Sequence, residues 1–168
     1  NYFGETEMNI GTNLDNNGLC EFIVWAPLAN KMSVHITEPE DSFHELIKTD
    51  NGYWQKKIKA KAGSKYFFKI NDGVEFPDPV SNFQPDGVHG ASQIVDHHAF
   101  NWEDEHWEGI DLKDAIIYEL HIGTFTPEGT FNSAIHKLDH LLELGVTAVE
   151  VMPVAQFPGD RNWGYDGV

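Results

Sequence analysis

The sequence has one cysteine, little positive charge and no long apolar stretch. Cys20 cannot form a disulfide within the chain, and its position in an apolar run predicts a small buried side chain rather than a reactive thiol. Only 11 of the 168 residues are Lys or Arg, against 27 Asp and Glu, so the formal net charge is −16. Because phosphate groups are bound by clustered basic residues, we expect no nucleic acid and no anionic membrane as partners.

Membrane and export signals are also missing from the sequence. No stretch reaches the roughly 18 consecutive apolar residues of a membrane span, and the first residues lack the basic and apolar regions of a secretion signal. We therefore expect a cytoplasmic protein. The excess of negative charge favours a neutral, hydroxyl-rich ligand. Apolar material is plentiful, since 40% hydrophobic and 12% aromatic residues are enough for a packed core.

The first half of the chain carries a β-strand pattern. Apolar residues alternate with polar ones in short runs, which predicts strands at residues 22–26, 31–37, 53–58 and 66–70. Turn residues that tolerate positive φ separate these runs and predict hairpin turns at residues 16–18, 50–52, 62–64 and 71–73. A proline- and glycine-rich connector follows at residues 76–90, which can hold neither a helix nor a central strand. The pattern predicts an antiparallel β-sandwich over residues 1–97.

The second half has a different period. After a linker at residues 98–114, an apolar run at 116–120 predicts a strand, and residues 130–144 predict one helix that ends at Gly145. The apolar run 146–152 is typical of a strand covered on both faces, so residues 115–168 predict a parallel β-α-β unit. Two strands cannot cover their own faces, and a complete (β/α)8 barrel needs roughly 250 residues. We therefore expect a truncated piece of such a barrel. The predicted apolar face of the helix consists of Phe131, Ile135, Leu138 and Leu142.

Candidate ligand-binding residues follow the two predicted parallel strands, at the strand ends where α/β domains bind their ligands. Trp163 and Tyr165 offer flat rings for the apolar face of a pyranose, and Asp166 offers a carboxylate for its hydroxyls. The alternative is that both rings only pack the floor of a barrel mouth. Further polar candidates in these loops are His121, Gln156, Arg161 and Asn162.

Other chemistry-bearing residues have simpler interpretations. Glu119 and Glu150 could form a glycosidase carboxylate pair, but a Glu at such a position more often bonds a neighbouring loop or an Arg. The cluster Asp96, His97, His98 and His106 lacks the spacing of a zinc site, so we expect no metal and no cofactor. Four aromatic residues of the first half could bind glucan, although their strand pattern favours core packing: Trp25, Tyr53, Trp54 and Phe67.

Four segments, in this order along the chain, closely resemble glycoside hydrolase family 13. They are Trp25-Ala26-Pro27, residues 77–90 (PDPVSNFQPDGVHG), residues 118–131 (YELHIGTFTPEGTF) and residues 152–168, which end in NWGYDGV. The ending resembles family members that release trehalose from maltooligosyltrehalose, and glycogen branching enzymes are similar over the same region.

The resemblance implies an immunoglobulin-like domain, related to the glycogen-binding modules of isoamylases, before a catalytic barrel. It implies hydrolysis of the α-1,4 bond next to a terminal trehalose by an Asp nucleophile and a Glu acid/base, with a further Asp that stabilises the transition state. Those carboxylates belong to barrel strands four, five and seven, so we expect no catalytic residue here and an inactive chain. The resemblance also implies that Tyr165 stacks on the sugar, with Trp163 and Asp166 as neighbours. Branching or debranching of α-glucan, and non-catalytic glucan binding, remain alternatives.

Overall fold

The computed structural model describes residues 9–167, which divide into two compact units at the boundary between residues 100 and 101. The described residues form mainly β-structure, with two antiparallel sheets in the first unit and a short β-α-β arrangement in the second, as predicted. Within residues 9–167, none of the helices has the length and apolar content that crossing a bilayer requires.

Two sheets make up the first unit. One has the strand order β1-β2-β6-β5, and the other has the order β4-β3-β7-β8 with β9 also paired to β7. All pairings in both sheets are antiparallel. The strands are β1 (Gly11–Leu14), β2 (Leu19–Trp25), β3 (Met32–Glu38), β4 (Ser42–Glu45), β5 (Ile47–Lys48), β6 (Tyr53–Lys59), β7 (Lys65–Ile70), β8 (Glu75–Phe76) and β9 (Ser92–Gln93).

A single core lies between the two sheets. Alternate residues of β2, among them Cys20 and Phe22, are fully buried, and they pack against Val34 of β3 and Tyr66 of β7. The rings of Phe22 and Tyr66 meet edge to face with centroids 5.1 Å apart. This burial confirms the prediction for Cys20, and it raises the pKa of the Cys20 thiol to about 12. Trp54 is also a core residue, which confirms the packing interpretation for that aromatic side chain.

Three of the four predicted turns close hairpins, between β1 and β2, β5 and β6, and β7 and β8. Positive φ occurs in each, for example at Asn51 (59°) and Gly52 (83°). The fourth prediction is wrong, because the turn at residues 62–64 joins β6 to β7, which lie in different sheets. Gly63 there has a φ of 86°, so the local conformation was predicted but its partner strands were not. A tight turn can carry the chain across the core as readily as it can close a hairpin.

The connector at residues 76–90 is held down by a buried carboxylate rather than by its aromatic residues. Asp78 is only 3% exposed, and its carboxylate accepts hydrogen bonds from the Tyr66 hydroxyl (2.6 Å) and the Val80 N–H (2.9 Å). Its own N–H donates to Ser92 Oγ at 2.9 Å. Phe83, by contrast, is about half exposed. The connector is therefore tied to β7 and β9 by polar contacts.

His35 lies on the outer face of the second sheet between two carboxylates. Its Nδ1 is 2.9 Å from Glu75 and its Nε2 is 3.1 Å from Asp41, and the ring stacks on Phe43 with centroids 4.0 Å apart. Partial burial lowers the pKa of His35, but the hydrogen bonds to Glu75 and Asp41 more than offset that effect and raise the pKa above its usual value. A protonated imidazole that donates from both nitrogens fits this arrangement.

The second unit contains β10 (Ile117–Leu120), α1 (Ile122–Phe125), α2 (Phe131–Ile135), α3 (Leu138–Glu143) and β11 (Ala148–Val151). β10 and β11 pair in parallel, with Ile117 opposite Ala148 and Leu120 opposite Val151, as predicted. The prediction of one continuous helix is wrong, because His136 and Lys137 separate α2 from α3.

Capping contacts fix both ends of this helical segment. The side chain of Thr130 accepts the N–H of Ser133, and the Ser133 hydroxyl accepts the N–H of Thr130, which forms a reciprocal capping box. At the other end Gly145 has a φ of 82°, and the N–H groups of Gly145 and Val146 bond back to α3. This Schellman-type ending confirms Gly145 as the helix stop.

The apolar faces of the second unit are largely uncovered. The four residues of the predicted apolar helix face, Phe131, Ile135, Leu138 and Leu142, are each exposed, and the buried residues of α2 and α3 are Ala134 and Leu141. The strand predicted to be covered on both faces leaves Val149 39% and Val151 43% exposed. The strand pattern is that of a sheet with further neighbours, whereas the sheet in the described part of this unit consists of β10 and β11.

Candidate functional site

The candidate residues gather at the carboxyl ends of the two parallel strands. The loops that follow β10 and β11 enclose a cavity of about 550 Å³, whose lining includes His121, Thr124, Phe131, Arg161 and Asn162. Its walls combine apolar side chains with polar and charged ones, and polar groups of this kind can orient a small-molecule ligand. The cavity lies where the sequence predicted the ligand-binding loops.

Two side chains at the end of β10, one inside the strand and one just after it, reach the loop after β11. Glu119 and His121 are two residues apart, and successive residues of an extended segment point to opposite faces, so both point the same way. The Tyr165 hydroxyl donates to Glu119 Oε1, and His121 Nε2 lies 2.6 Å from Asn162 Oδ1. The turn of residues 162–166, which we call the 162–166 turn, is thus held at both ends.

The imidazole of His121 fits closely between two glycines. A Cβ atom at Gly123 would lie 3.0 Å from His121 Cε1, and one at Gly164 would lie 3.2 Å from His121 Cδ2. The same Cβ at Gly164 would lie 2.5 Å from the Met152 sulfur, and Gly164 has a φ of 102°. Only glycine meets both requirements at position 164, so the backbone can pack directly on the ring.

Tyr165 is tethered but open to a ligand. Its side chain is 63% exposed although its hydroxyl is hydrogen-bonded to Glu119, and that bond raises the pKa of the Tyr165 phenol above its usual value. Glu150 lies opposite Glu119 in the parallel register. The expectation that a Glu of this unit bonds a neighbouring loop is confirmed for Glu119. The Tyr165 ring is held by its hydroxyl and remains exposed, which is the arrangement that stacking on a ligand requires.

The other two predicted sugar-binding residues occupy different positions. Trp163 is 91% exposed, so it packs neither a barrel floor nor the described part of this unit. Asp166 accepts the Trp163 N–H at 2.7 Å through one carboxylate oxygen, which closes the 162–166 turn. The structure therefore gives Asp166 a local role in shaping the turn, while its role toward a sugar stays a prediction.

Three of the residues that the sequence offered as candidates line the cavity: His121, Arg161 and Asn162. The other candidates lie outside its lining: Gln156, Trp163, Tyr165 and Asp166. The sequence analysis did not identify Gly164 as a packing residue. A glycine between two aromatic residues of a ligand-binding loop is a signal that the backbone packs closely on a neighbouring side chain. Among residues 9–167 no three His, Cys, Asp or Glu side chains are grouped to hold a metal ion.

The chain is similar to several known proteins that are named as carbohydrate-acting enzymes. No protein-family model matches the chain. It is 46% identical over 162 residues, covering 96% of its length, to malto-oligosyltrehalose trehalohydrolase of Saccharolobus solfataricus. It is 34% identical to the 1,4-alpha-glucan branching enzyme GlgB of Pseudoalteromonas atlantica, in an alignment that covers 88% of the chain. A crystal structure from Salmonella typhimurium, of a protein assigned as an alpha amylase, is 40% identical and covers 95% of this chain with a TM-score of 0.85.

The matches are partial on the relatives' side. The chain spans 28% of the trehalohydrolase, 23% of the branching enzyme and 27% of the Salmonella protein. Within these limits the similarity extends over nearly all of the chain and therefore reaches both units. The chain is homologous to the amino-terminal part of malto-oligosyltrehalose trehalohydrolases.

Proposed function

We propose that the chain is part of an α-glucan hydrolase that releases trehalose from maltooligosyltrehalose by hydrolysing the adjacent α-1,4 bond. In this proposal the first unit is an immunoglobulin-like domain related to glycogen-binding modules, and the second is the first β-α-β unit of a (β/α)8 barrel. The homology to trehalohydrolases and the parallel pairing of β10 with β11 support it.

The observation that carries the proposal is the exposed ring of Tyr165 at the carboxyl ends of two parallel strands. A pyranose presents one face of C–H groups, which pack on an aromatic ring, and a rim of hydroxyls that need hydrogen-bonding partners. Tyr165 supplies the ring, Trp163 a second exposed ring, and Asp166 a nearby carboxylate. The ligand is therefore a neutral α-glucan, which also suits a chain with a net charge of −16.

Bond cleavage is not assigned to residues of this chain. Retaining glycosidases need a free carboxylate nucleophile about 5 Å from a protonated acid. Glu119 already accepts a hydrogen bond from the Tyr165 hydroxyl, and this bond holds the 162–166 turn. The chain in this proposal binds sugar and leaves the catalytic carboxylates to other barrel strands.

The reaction is tested with the complete polypeptide that the gene encodes. Incubation with maltooligosyltrehalose should release trehalose, measured by chromatography, and incubation with amylose should produce no new α-1,6 branches. Branch formation without trehalose would replace the proposal with the branching-enzyme alternative, which the similarity to GlgB makes the natural second candidate. Absence of both products would overturn the proposed class of enzyme.

Sugar binding is tested with the chain itself. Titration with maltoheptaose, followed by tryptophan fluorescence, should give a saturable signal. Tyr165→Ala should raise the dissociation constant by about tenfold, because the ring's contact area with the sugar is lost. Trp163→Phe should remove most of the signal change. Trp25→Phe is the matched control, since Trp25 is also exposed (57%) but belongs to the first unit. A signal abolished only by Trp25→Phe would instead support a non-catalytic glucan-binding module.

A further inference from the structure

The 162–166 turn is anchored at two points, by Glu119 of β10 and by His121, which follows β10 directly. Glu119 holds it through the Tyr165 hydroxyl, and His121 holds it through the Asn162 side chain. Asn162 Oδ1 also accepts the N–H of Gly164 at 2.9 Å, so the amide group links the imidazole directly to the turn's backbone. The two anchoring residues are 41 and 46 positions away from their partners in the chain.

Donor and acceptor roles in this network follow from its geometry. The atom of Asn162 that receives the Gly164 N–H must be the oxygen, because an NH₂ group in that place would set donor against donor. The same oxygen faces His121 Nε2, so Nε2 carries the hydrogen and donates it. His121 Nδ1 is buried without a hydrogen-bond partner among residues 9–167. The ring is therefore fixed by one hydrogen bond and by its fit between Gly123 and Gly164.

We propose that His121 is a positioning residue, which sets the orientation of Tyr165 by donating from Nε2 to Asn162. The contact fixes the peptide that joins Trp163 to Gly164, and Glu119 fixes the phenol at the other end. With both anchors in place the Tyr165 ring is presented to the ligand in one orientation before binding. The effect on sugar binding rests on the proposed function, whereas the anchoring itself does not.

Hydrogen exchange tests the anchoring without any sugar. The Gly164 amide should exchange about tenfold faster in His121→Ala and in Asn162→Ala, because its acceptor is lost or released. Asn162→Asp keeps an acceptor for both donors, and His121→Gln keeps an N–H donor near the position of Nε2, so both should retain most of the protection. Nitrogen NMR of the wild-type imidazole should show the tautomer with hydrogen on Nε2.

Each outcome bears on the proposal. Unchanged Gly164 exchange in Asn162→Ala, or His121→Gln behaving like His121→Ala, would overturn it, as would a neutral tautomer with hydrogen on Nδ1. If His121→Ala fails to fold, comparing Gly164 exchange in Asn162→Ala and Asn162→Asp still tests the proposal, because both variants keep the His121 imidazole. The exchange of Ile23, in the first unit, serves as the reference that should stay constant in all variants.

A second measurement connects the anchoring to the ligand. Asn162→Ala should weaken maltoheptaose binding several-fold, whereas Asn162→Asp should bind nearly as the wild type does. If wild type binds no sugar, the proposed function fails while the exchange result still stands. If sugar binds equally to both Asn162 variants although Gly164 exchange differs, the role of His121 in presenting Tyr165 is refuted.

Discussion

Replacement of Asp78 by Ala should destabilise the first unit by about 1–4 kcal/mol, because two hydrogen bonds lose their acceptor. Loss of the carboxylate leaves the Tyr66 hydroxyl, on a side chain that is 1% exposed, without its acceptor, which costs about 1–3 kcal/mol. The Val80 N–H is only partly buried and reaches water, so its loss adds less than about 1 kcal/mol. For a unit of this size, a loss of this magnitude lowers the melting temperature by roughly 4–30 °C.

Asp78→Asn is the matched control, because an amide still offers an oxygen and an N–H to the same neighbours. At pH 7 the free energy of unfolding of Asp78→Asn should be lower than that of the wild type by less than about 1 kcal/mol. Burial raises the pKa of the Asp78 carboxyl, although the hydrogen bonds from Tyr66 and Val80 act in the opposite direction. A carboxyl with a raised folded pKa contributes stability below its unfolded pKa of about 3.9, and this contribution is lost as pH rises through the folded pKa. The stability of wild type relative to Asp78→Asn should therefore fall between pH 3 and pH 7.

Urea unfolding, followed by the fluorescence of the buried Trp54 and by near-ultraviolet circular dichroism, measures both effects. A double-mutant cycle with Tyr66→Phe should give a coupling energy of about 1–3 kcal/mol. The reasoning is refuted if Asp78→Ala is as stable as the wild type. It is also refuted if Asp78→Asn loses as much as Asp78→Ala at pH 7, since the buried hydrogen bonds would then not be what holds the connector.

Further predictions concern a histidine, two glycines and the cysteine. The pKa of His35 is raised in the folded state, so its stabilising contribution is present below about pH 6.5 and is lost as pH rises through the folded pKa. Wild type should accordingly lose stability relative to His35→Gln between pH 6 and pH 9 in thermal melts. Gly52→Ala should destabilise more than Gly63→Ala in urea unfolding, because both have positive φ but a Cβ at position 52 would lie 2.6 Å from Pro27 Cβ, whereas position 63 is open. Cys20 should resist alkylation at pH 8 in the native protein and react fully in urea.

Contradicting results are specific to each case. A constant stability difference across pH for His35→Gln would mean that its carboxylate partners do not hold the charged imidazole. Equal effects of the two glycine substitutions would remove the steric argument for Gly52. Native-state alkylation of Cys20 at the rate of a small thiol would show that the core opens.

The strands that carry the core were predictable because each shows alternation over five or more residues. β5, β8 and β9 each have two residues, too few for a period to appear, and their pairing is set by the sheets they join. The interruption at His136 and Lys137 carries no Gly or Pro, so the sequence offered no sign that the helix would divide there. Exposure in the second unit was mispredicted for a different reason, because a hydrophobic pattern indicates which face needs cover and not what provides it.

The candidate site was predictable in composition and place, and not in its contacts. Position after a strand pointed to His121, Asn162 and Tyr165, because parallel strands bring their carboxyl ends together. The hydrogen bond from Tyr165 to Glu119 spans 46 residues and has no local signal in the sequence. Only the register of β10 and the path of the 162–166 turn bring these groups together.

The turn at residues 62–64, which sends β6 and β7 to different sheets, has a consequence for how the chain folds. β2 pairs with β6 between residues that are 28 (Trp25 with Tyr53) to 40 (Leu19 with Lys59) positions apart, and β3 pairs with β7 over a similar interval. These central pairings cannot grow from a neighbouring hairpin, so each must close a long loop before it gains contacts. The first unit should fold in milliseconds to seconds, as non-local β topologies do, and its two sheets should appear together rather than in succession.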